Sequence, residues 1–583
     1  MNRLLVSAAH KSSGKTTVTV GLCAALSAQG MVVQPFKKGP DYIDPMWLAQ
    51  ASGRDCFNLD PYLMTPEQIT ACFARYSVAS DISIVEGNKG LYDGLALDGS
   101  NSNAALAHLL DLPVVLVLDA RGMTRGIAPL ILGYQAFDAR IRIAGVILNQ
   151  LGGARHESKL RAVIEHYTDV QVLGAIGHDP RLAVVERHLG LMPNHELDDA
   201  ALRVRAMGDL IGSQVDLLRV RQIAASVAPV SPLPSSISVI QEPPQPRVRI
   251  GLARDKAFGF YYPDDLLALE QAGAEIVPFD TLQDTCLPQV DGLFIGGGFP
   301  EMFMPELQAN VALRSSIKAA IEADLPVYAE CGGLMYLART LHWKDKVYNM
   351  VGALPADVVM HERPMGRGYV SLETTADAPW LMTQSHATQS LRGHEFHYSC
   401  LENLAPELKF AYRVKRGYGV DGQHDGIVYR KVLASYVHLR SGAGSDWAAQ
   451  FVAFVRAQGM ILKVPTSAKG VTMSVLVNGK EIATDPEGYI KNLDEWSEDF
   501  ARARAKVEHL ELTEAHWQVI SFLRDYFEEH RVQAQVRAMI WHFSKVWGPE
   551  LGNNHHLHTL FPIGGPQKQG NRLAGLLKTK GEH

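Results

Sequence analysis

The chain has 583 residues, of which 47% are hydrophobic and 20% charged, with a formal net charge of −6. That composition fits a soluble globular protein with room for three or four cores, and its acidic balance excludes a general affinity for nucleic acid or an anionic membrane. No apolar run reaches the roughly 20 residues of a membrane span, no signal peptide is legible, and the six cysteines lack metal-type spacing, so a reducing cytoplasm is the expected location.

Residues 4–9 form an apolar run, followed by His10-Lys-Ser-Ser-Gly-Lys-Thr-Thr17 and an amphipathic stretch to about Gln29. Strand, loop and helix in that order are the setting of a P-loop. The loop amides from Gly14 to Thr17 would cradle the phosphates of ATP, Lys15 would reach the terminal ones, and Thr16 would ligate Mg²⁺. Ala9 stands where the motif usually has its first glycine.

The next strand runs into Gln34-Pro-Phe-Lys-Lys-Gly-Pro-Asp-Tyr-Ile-Asp-Pro45, and residues 82–85 run into Glu86-Gly-Asn-Lys-Gly-Leu-Tyr-Asp-Gly94. Asp41, Asp44, Glu86 and Asp93 thus lie at the carboxyl ends of strands, where parallel sheets bind ligands. Each alone reads equally well as a turn residue or a helix cap. Four around one P-loop favour a site for Mg²⁺ and substrate, with Asp41 and Glu86 as metal ligands beside Thr16. Residues 113–119, 143–149 and 170–176 are further buried strands; Asn149 suits a base-reading amide or a turn equally. Glu186-Arg-His-Leu-Gly-Leu191 carries no chemistry assignable from its residues alone. The alternation over residues 1–225 predicts a doubly wound parallel sheet.

Residues 226–247 are rich in proline and serine and read as a linker; a second α/β pattern fills 248–460. In it, Asp291-Gly-Leu-Phe-Ile-Gly-Gly-Gly-Phe-Pro-Glu301 takes a strand into a triple-glycine loop, where Gly297 and Gly298 let backbone approach a substrate. Val327-Tyr-Ala-Glu-Cys-Gly-Gly-Leu-Met-Tyr336 places Cys331 at a sharp turn between a strand and a helix. That position suits a reactive thiolate, although a buried cysteine beside a tight turn has the same pattern. A strand-like run over residues 434–439 supplies His438 as a base for a Cys–His pair, which favours the catalytic reading. His394 and His397 are read as structural rather than as a metal site. Residues 461–472 form a second linker, and 473–583 change to charged helices after an Asn-Gly hairpin signal at residues 475–482. Residues 513–524 read as an amphipathic helix with a capping-box-like start, and the histidines of 553–558 as a solvated loop.

With these motifs in place, residues 1 to about 460 resemble the cobyrinate a,c-diamide synthase family. The likeness rests on residues 34–45, 86–94, 186–191, 296–301, Glu330-Cys-Gly-Gly333 and His438. It implies an ATP-binding amide synthetase domain related to dethiobiotin synthetase, followed by a class I-type glutaminase domain. Cys331 would be the glutaminase nucleophile, with His438 raising its nucleophilicity. Asp41, Asp44, Glu86 and Asp93 would handle Mg²⁺ and the carboxylate of a tetrapyrrole. Lys89 replaces a common methionine and Arg440 a common second histidine, so altered substrate contacts are expected there; no third triad acid is evident. Residues from about 472 onward resemble the DsrC/TusE sulfur-relay family, through residues 485–489, 512–517, 522–526 and 560–568. The family's cysteine positions hold Glu582 and Asn571, so persulfide transfer is excluded and the tail reads as a docking module, with sulfite reductase as its expected partner. That association raises sirohaem as an alternative macrocycle. A homodimer is also among the expected assemblies. The rivals from other classes are a regulatory P-loop ATPase with an adaptor tail and a sulfur-relay scaffold.

Overall fold

The computed structural model describes residues 1–179, 186–187, 190–197, 199–228, 246–380, 390–442, 446–458, 473–485, 488–508, 510–562 and 565–576. The expected linker stretches at 229–245 and 461–472, and Glu582, lie outside them. The chain divides into two compact units, Met1–Leu462 and Lys463–His583.

In the first unit, a seven-stranded sheet takes the order Phe57–Leu59, Val33–Lys38, Ile82–Glu86, Arg3–Ala8, Val114–Asp119, Ile143–Leu151, Val172–Gly177. Every pairing is parallel. Leu4, Leu5 and Val6 are fully buried on successive positions, as a strand covered by helices on both faces requires. The P-loop leaves the central strand and enters the helix Lys15–Ala28 through Gly14, whose φ of 81° is left-handed. A Cβ there would stand 2.1 Å from the Asn149 amide nitrogen, so only glycine fits.

A second, nine-stranded sheet is mixed. Ala274–Phe279, Val248–Ala253, Gly292–Ile295, Val327–Glu330 and Val432–Ser435 run parallel, and four antiparallel strands, His424–Tyr429, Lys409–Arg416, Gly366–Thr374 and Ser390–His397, continue it. The expected strand at residues 434–439 ends early, at Ser435. Buried Asp425 captures the Ser435 hydroxyl and the amides of Tyr436 and Val437, turning the chain out of the ladder toward His438.

The two sheets share a seam. Phe260, Tyr262 and Phe299, from segments beside the second, pack into one apolar cluster with Tyr42 and Trp47, from the loop and helix that follow Val33–Lys38 of the first. Arg440, 1% exposed, bonds Asp264 at 2.6 and 3.0 Å and donates to the Asn58 carbonyl at 2.6 Å. Nearby, the Tyr369 hydroxyl lies 3.0 Å from both oxygens of Asp60. Arg440 is therefore a tie across the seam, which corrects its expected place in substrate contacts; Lys89 is exposed on its loop. Arg440→Met should leave Asp264 without its partner and cost about 3 kcal/mol. Calorimetry would register this as an earlier unfolding transition of the first unit.

The second unit is mainly helical. A hairpin, Met473–Val477 with Lys480–Thr484, turns at Asn478-Gly479, both left-handed as its tight turn demands. Helices Glu498–Val507, Glu514–His530 and Val536–Val546 contribute to the apolar clusters of this unit. Thr513 and His516 cap the second of them. The histidine-rich stretch is the helix Asn554–Leu560 rather than a loop, because the Asn553 side chain accepts the His556 amide and caps it. Glu508, braced by Arg504, holds Gln569 and Arg572, and Asn571 is buried beside them.

Candidate active site

The first centre is built on the strand Val327–Glu330 and the turn after it. Cys331 has φ 45° and ψ −100°, a strained conformation that a cysteine adopts only when its surroundings hold it there. Its amide donates to the Ser435 carbonyl at 2.7 Å, locking the turn to the neighbouring strand. The next strand in the sheet leads to His438. That residue is buried and held by backbone bonds to His394, whose ring lies on its own at 4.9 Å. The His438 imidazole hydrogen-bonds the Cys331 thiol.

The opposite ring nitrogen, Nδ1, is 3.1 Å from Glu330 Oε2. Glu330 is 3% exposed, and its other oxygen accepts from the Tyr328 hydroxyl at 2.7 Å and the Leu439 amide at 3.1 Å. This supplies the orienting acid left unassigned by the sequence. Nδ1–H donates to the carboxylate, which leaves Nε2 for sulfur. Burial alone would lower the His438 pKa, but its hydrogen bonds to Cys331 and Glu330 and their charges push it up to about 10. Neighbouring His394 is held neutral by burial and by the charges of His438 and Arg440. His397 bonds the Ser399 carbonyl at 2.7 Å and stacks on Tyr436. Among the described residues no group of three or more metal-ligating side chains forms a cation site by geometry alone.

The triple-glycine loop closes over this centre. A Cβ on Gly297 would meet the His438 ring at 2.7 Å, and one on Gly298 would meet the Ala257 carbonyl at 2.0 Å. The Gly298 nitrogen lies 3.0 Å from where a Gly332 Cβ would stand, so the backbone after Cys331 and that of the glycine loop face each other closely. Backbone N–H groups so placed suit a developing oxyanion.

The second centre gathers around Lys15. Its amine is 3.2 Å from Glu86 Oε1, an oxygen that also accepts from the Thr16 hydroxyl at 2.7 Å and from Lys37 at 3.0 Å. Thr16 reaches Asp44 at 3.2 Å, Lys37 bonds Asp44 directly, and Asp41 lies 3.6 Å from Lys37. Lys37, 1% exposed, is the residue that pattern reading passes over. Burial opposes its charge, but Asp44, Glu86 and Asp41 outweigh that and raise its pKa. Asp41 is pushed up to about 7 by burial and by the neighbouring Asp44. Asp44 has burial against it too, yet Lys37 and Lys15 hold it below the usual carboxylate range.

Asp44 and Glu86 balance the two ammonium groups, and Asp41 adds an excess of negative charge as it ionises around pH 7. Glu86 Oε2 is buried without a hydrogen-bond partner. An orphaned carboxylate oxygen beside a threonine hydroxyl fits a hard divalent cation. Asp93 does not join the cluster: its Oδ2 accepts the Gly90 amide at 2.8 Å within its own loop. Asn149 lies against the P-loop, donating to the Ser13 carbonyl at 2.9 Å, and Thr17 stands half-buried on the first turn of the helix.

Comparison with known proteins fits both centres. Residues 249–444 match the CobB/CobQ-like glutamine amidotransferase domain, 2–185 an AAA domain and 476–581 the DsrC like protein. The chain is 46% identical over 461 residues to the cobyrinate a,c-diamide synthase of Magnetococcus marinus, covering 78% of this chain and 98% of that one. The chain belongs to the cobyrinate a,c-diamide synthase family. Another relative of that name, from Methanosarcina barkeri, is 41% identical over 478 residues, with 78% and 96% covered. The solved structure of DsrC from Allochromatium vinosum shares 44% identity over 19% of this chain and 98% of its own, with a TM-score of 0.18. In this member of the synthase family the P-loop half and the glutaminase half lie in one compact unit. Among the described residues, no helix is long and apolar enough to cross a membrane.

The triad geometry carries a prediction. Glu330→Gln should lower glutamine hydrolysis by roughly 10²- to 10⁴-fold, because the ring loses both its tautomer control and the charge facing the imidazolium. A raised pKa also stabilises the fold, fully below about pH 6.5 and fading as pH rises through about 10. Denaturation followed across that window should show a shallower loss in Glu330→Gln than in the wild type.

Proposed function

We propose that the chain converts acetate-type carboxylates of a tetrapyrrole to amides, with glutamine as nitrogen donor and ATP as activating co-substrate. The observation that carries this reading is the pairing, in one unit, of the Cys331–His438–Glu330 constellation with the Lys15–Thr16–Glu86 cluster. Cys331 sulfur attacks the glutamine side-chain carbonyl, and the oxyanion is met by the backbone of Gly298 and Gly332. The imidazolium of His438 gives its proton to the leaving nitrogen. Ammonia departs, and water then clears the thioester to glutamate. In the other centre a substrate carboxylate oxygen attacks the γ-phosphorus of ATP, ADP leaves, and the acyl phosphate yields its phosphate to ammonia. Lys15 sets its charge against the transferring phosphoryl group. Thr16, Glu86 and Asp41 would hold Mg²⁺, which when bound supplies further charge for the phosphates.

The tail favours a second macrocycle. Its match to the DsrC-like family, whose members associate with sulfite reductase, supports sirohaem in place of cobyrinate, with the tail as the docking module for that enzyme. The free cysteines of the chain and its dependence on ATP support a cytoplasmic location. Incubation with ATP, Mg²⁺ and glutamine alongside either macrocycle, read by mass, tests the proposal. Each amide formed lowers mass by about one unit, as O–H gives way to NH₂. A protein that hydrolyses ATP but neither hydrolyses glutamine nor amidates either macrocycle would instead be a regulatory ATPase.

A further inference from the structure

Ammonia released at Cys331 has to reach a carboxylate activated beside Lys15, and near neutral pH it is protonated and unreactive once it meets bulk water. Whatever separates the two centres therefore decides how much nitrogen is lost. One residue reaches from one centre to the other. Asp41 and Asp44 face Lys37 in the phosphate-side cluster, and between them Tyr42 points into the other centre. Its ring is stacked on Phe260 at 5.4 Å with 2° between planes, and lies 4.5 Å from Tyr262, 5.6 Å from His394 and 5.2 Å from His438. Only 9% of the residue is exposed.

The loop that carries the ring is held by the groups expected to respond to ligand. Asp41 Oδ1 accepts the Ile43 amide at 2.9 Å and the Asp44 amide at 3.1 Å, so the peptide just after Tyr42 is strung on the Asp41 carboxylate. A cation or substrate that draws on Asp41 or Asp44 pulls on both ends of the segment bearing the ring. The ring also packs against that of Tyr262. Tyr262 in turn lies 3.5 Å from His394 and under the guanidinium of Arg440. Movement of the loop thus reaches the rings that pack on His438.

From this arrangement we propose that Tyr42 is the gate between the two centres: its ring blocks passage from the Cys331–His438 pair until ligands at Asp41 and Asp44 draw the loop aside. This rests on the amidating activity proposed above and adds to it the residue that couples its halves. Tyr42 is a positioning residue here, since it acts through His438 and through the loop. A gate makes hydrolysis wait for an acceptor and gives nitrogen released at Cys331 precedence over ammonium from bulk water.

The test uses the full chain with amide-¹⁵N glutamine in the presence of excess unlabelled ammonium. The wild type should hydrolyse glutamine faster when ATP, Mg²⁺ and macrocycle are all present, and its product should carry ¹⁵N. In Tyr42→Ala, hydrolysis should no longer respond to those ligands, and glutamine consumed per amide formed should rise roughly tenfold. The product's ¹⁵N should then be diluted toward the bulk ammonium. Tyr42→Phe keeps the ring and should couple like the wild type. Ammonium-supported amidation and thermal melting report whether each variant is folded, and Tyr42→Leu replaces the alanine variant if that one does not fold. Wild-type stoichiometry and undiluted ¹⁵N in the folded Tyr42→Ala or Tyr42→Leu variant would overturn the gate alone. Absence of amidation in the wild type would overturn the proposed activity and the gate with it.

Discussion

Replacement of Cys331 by alanine should abolish glutamine-dependent amidation, a loss of roughly 10³-fold or more, while ammonium salts restore product formation. The size of the effect follows from what the thiol does alone. His438 and Glu330 orient and charge-balance it but form no bond to the amide carbon themselves, so neither takes over its step. Rescue follows from the location of the second centre, whose residues Lys15, Thr16, Lys37, Asp44 and Glu86 bond one another without involving Cys331. Alanine at a left-handed φ of 45° also keeps some strain, so the substitution removes sulfur with little backbone relief. Product formed at high ammonium concentration and moderately alkaline pH, where more free ammonia is available, is the measurement. A variant inactive with both nitrogen sources would mean that the two chemistries share one site.

The converse variant is Lys15→Met. Amidation with either nitrogen source should fall by roughly 10²- to 10³-fold, because the charge that meets the transferring phosphoryl group is removed. The methionine stem fills a similar space, so the P-loop backbone, anchored by the Asn149 bond to Ser13, should hold its shape. Basal glutamine hydrolysis should stay within about twofold of the wild type, as Lys15 touches none of the groups around Cys331. Parallel assays of glutamate release and amide formation separate these outcomes. A matching collapse of both would show that the halves cannot be addressed one at a time.

What was legible in the sequence was local. The P-loop, the elbow at Cys331 and the acid-bearing loops each announce themselves within about a dozen residues, because glycine and proline punctuation fixes their turns. Glu330 and Lys37 sit inside legible motifs without a visible task, since their partners come from elsewhere in the chain: His438 for one, Asp44 and Glu86 for the other. The task of Arg440 is hidden for a related reason. A charged residue two positions from His438 suggests a ligand contact, and only the packed seam reveals Asp264 and the Asn58 carbonyl as its partners. The helix Asn554–Leu560 was missed because its histidines hide the apolar period; Asn553, a good cap, was the one available clue.

The ladder that joins Val327–Glu330 to Val432–Ser435 pairs Glu330 with Ser435, two residues more than a hundred positions apart. The hydrolytic pocket is consequently completed only after residue 438 has left the ribosome and the intervening segment has been threaded into place. By then the nucleotide-binding half, encoded entirely upstream, has had time to collapse, since nascent domains fold in order of emergence. On the proposed activity, translation thus delivers the consumer of ammonia before its source.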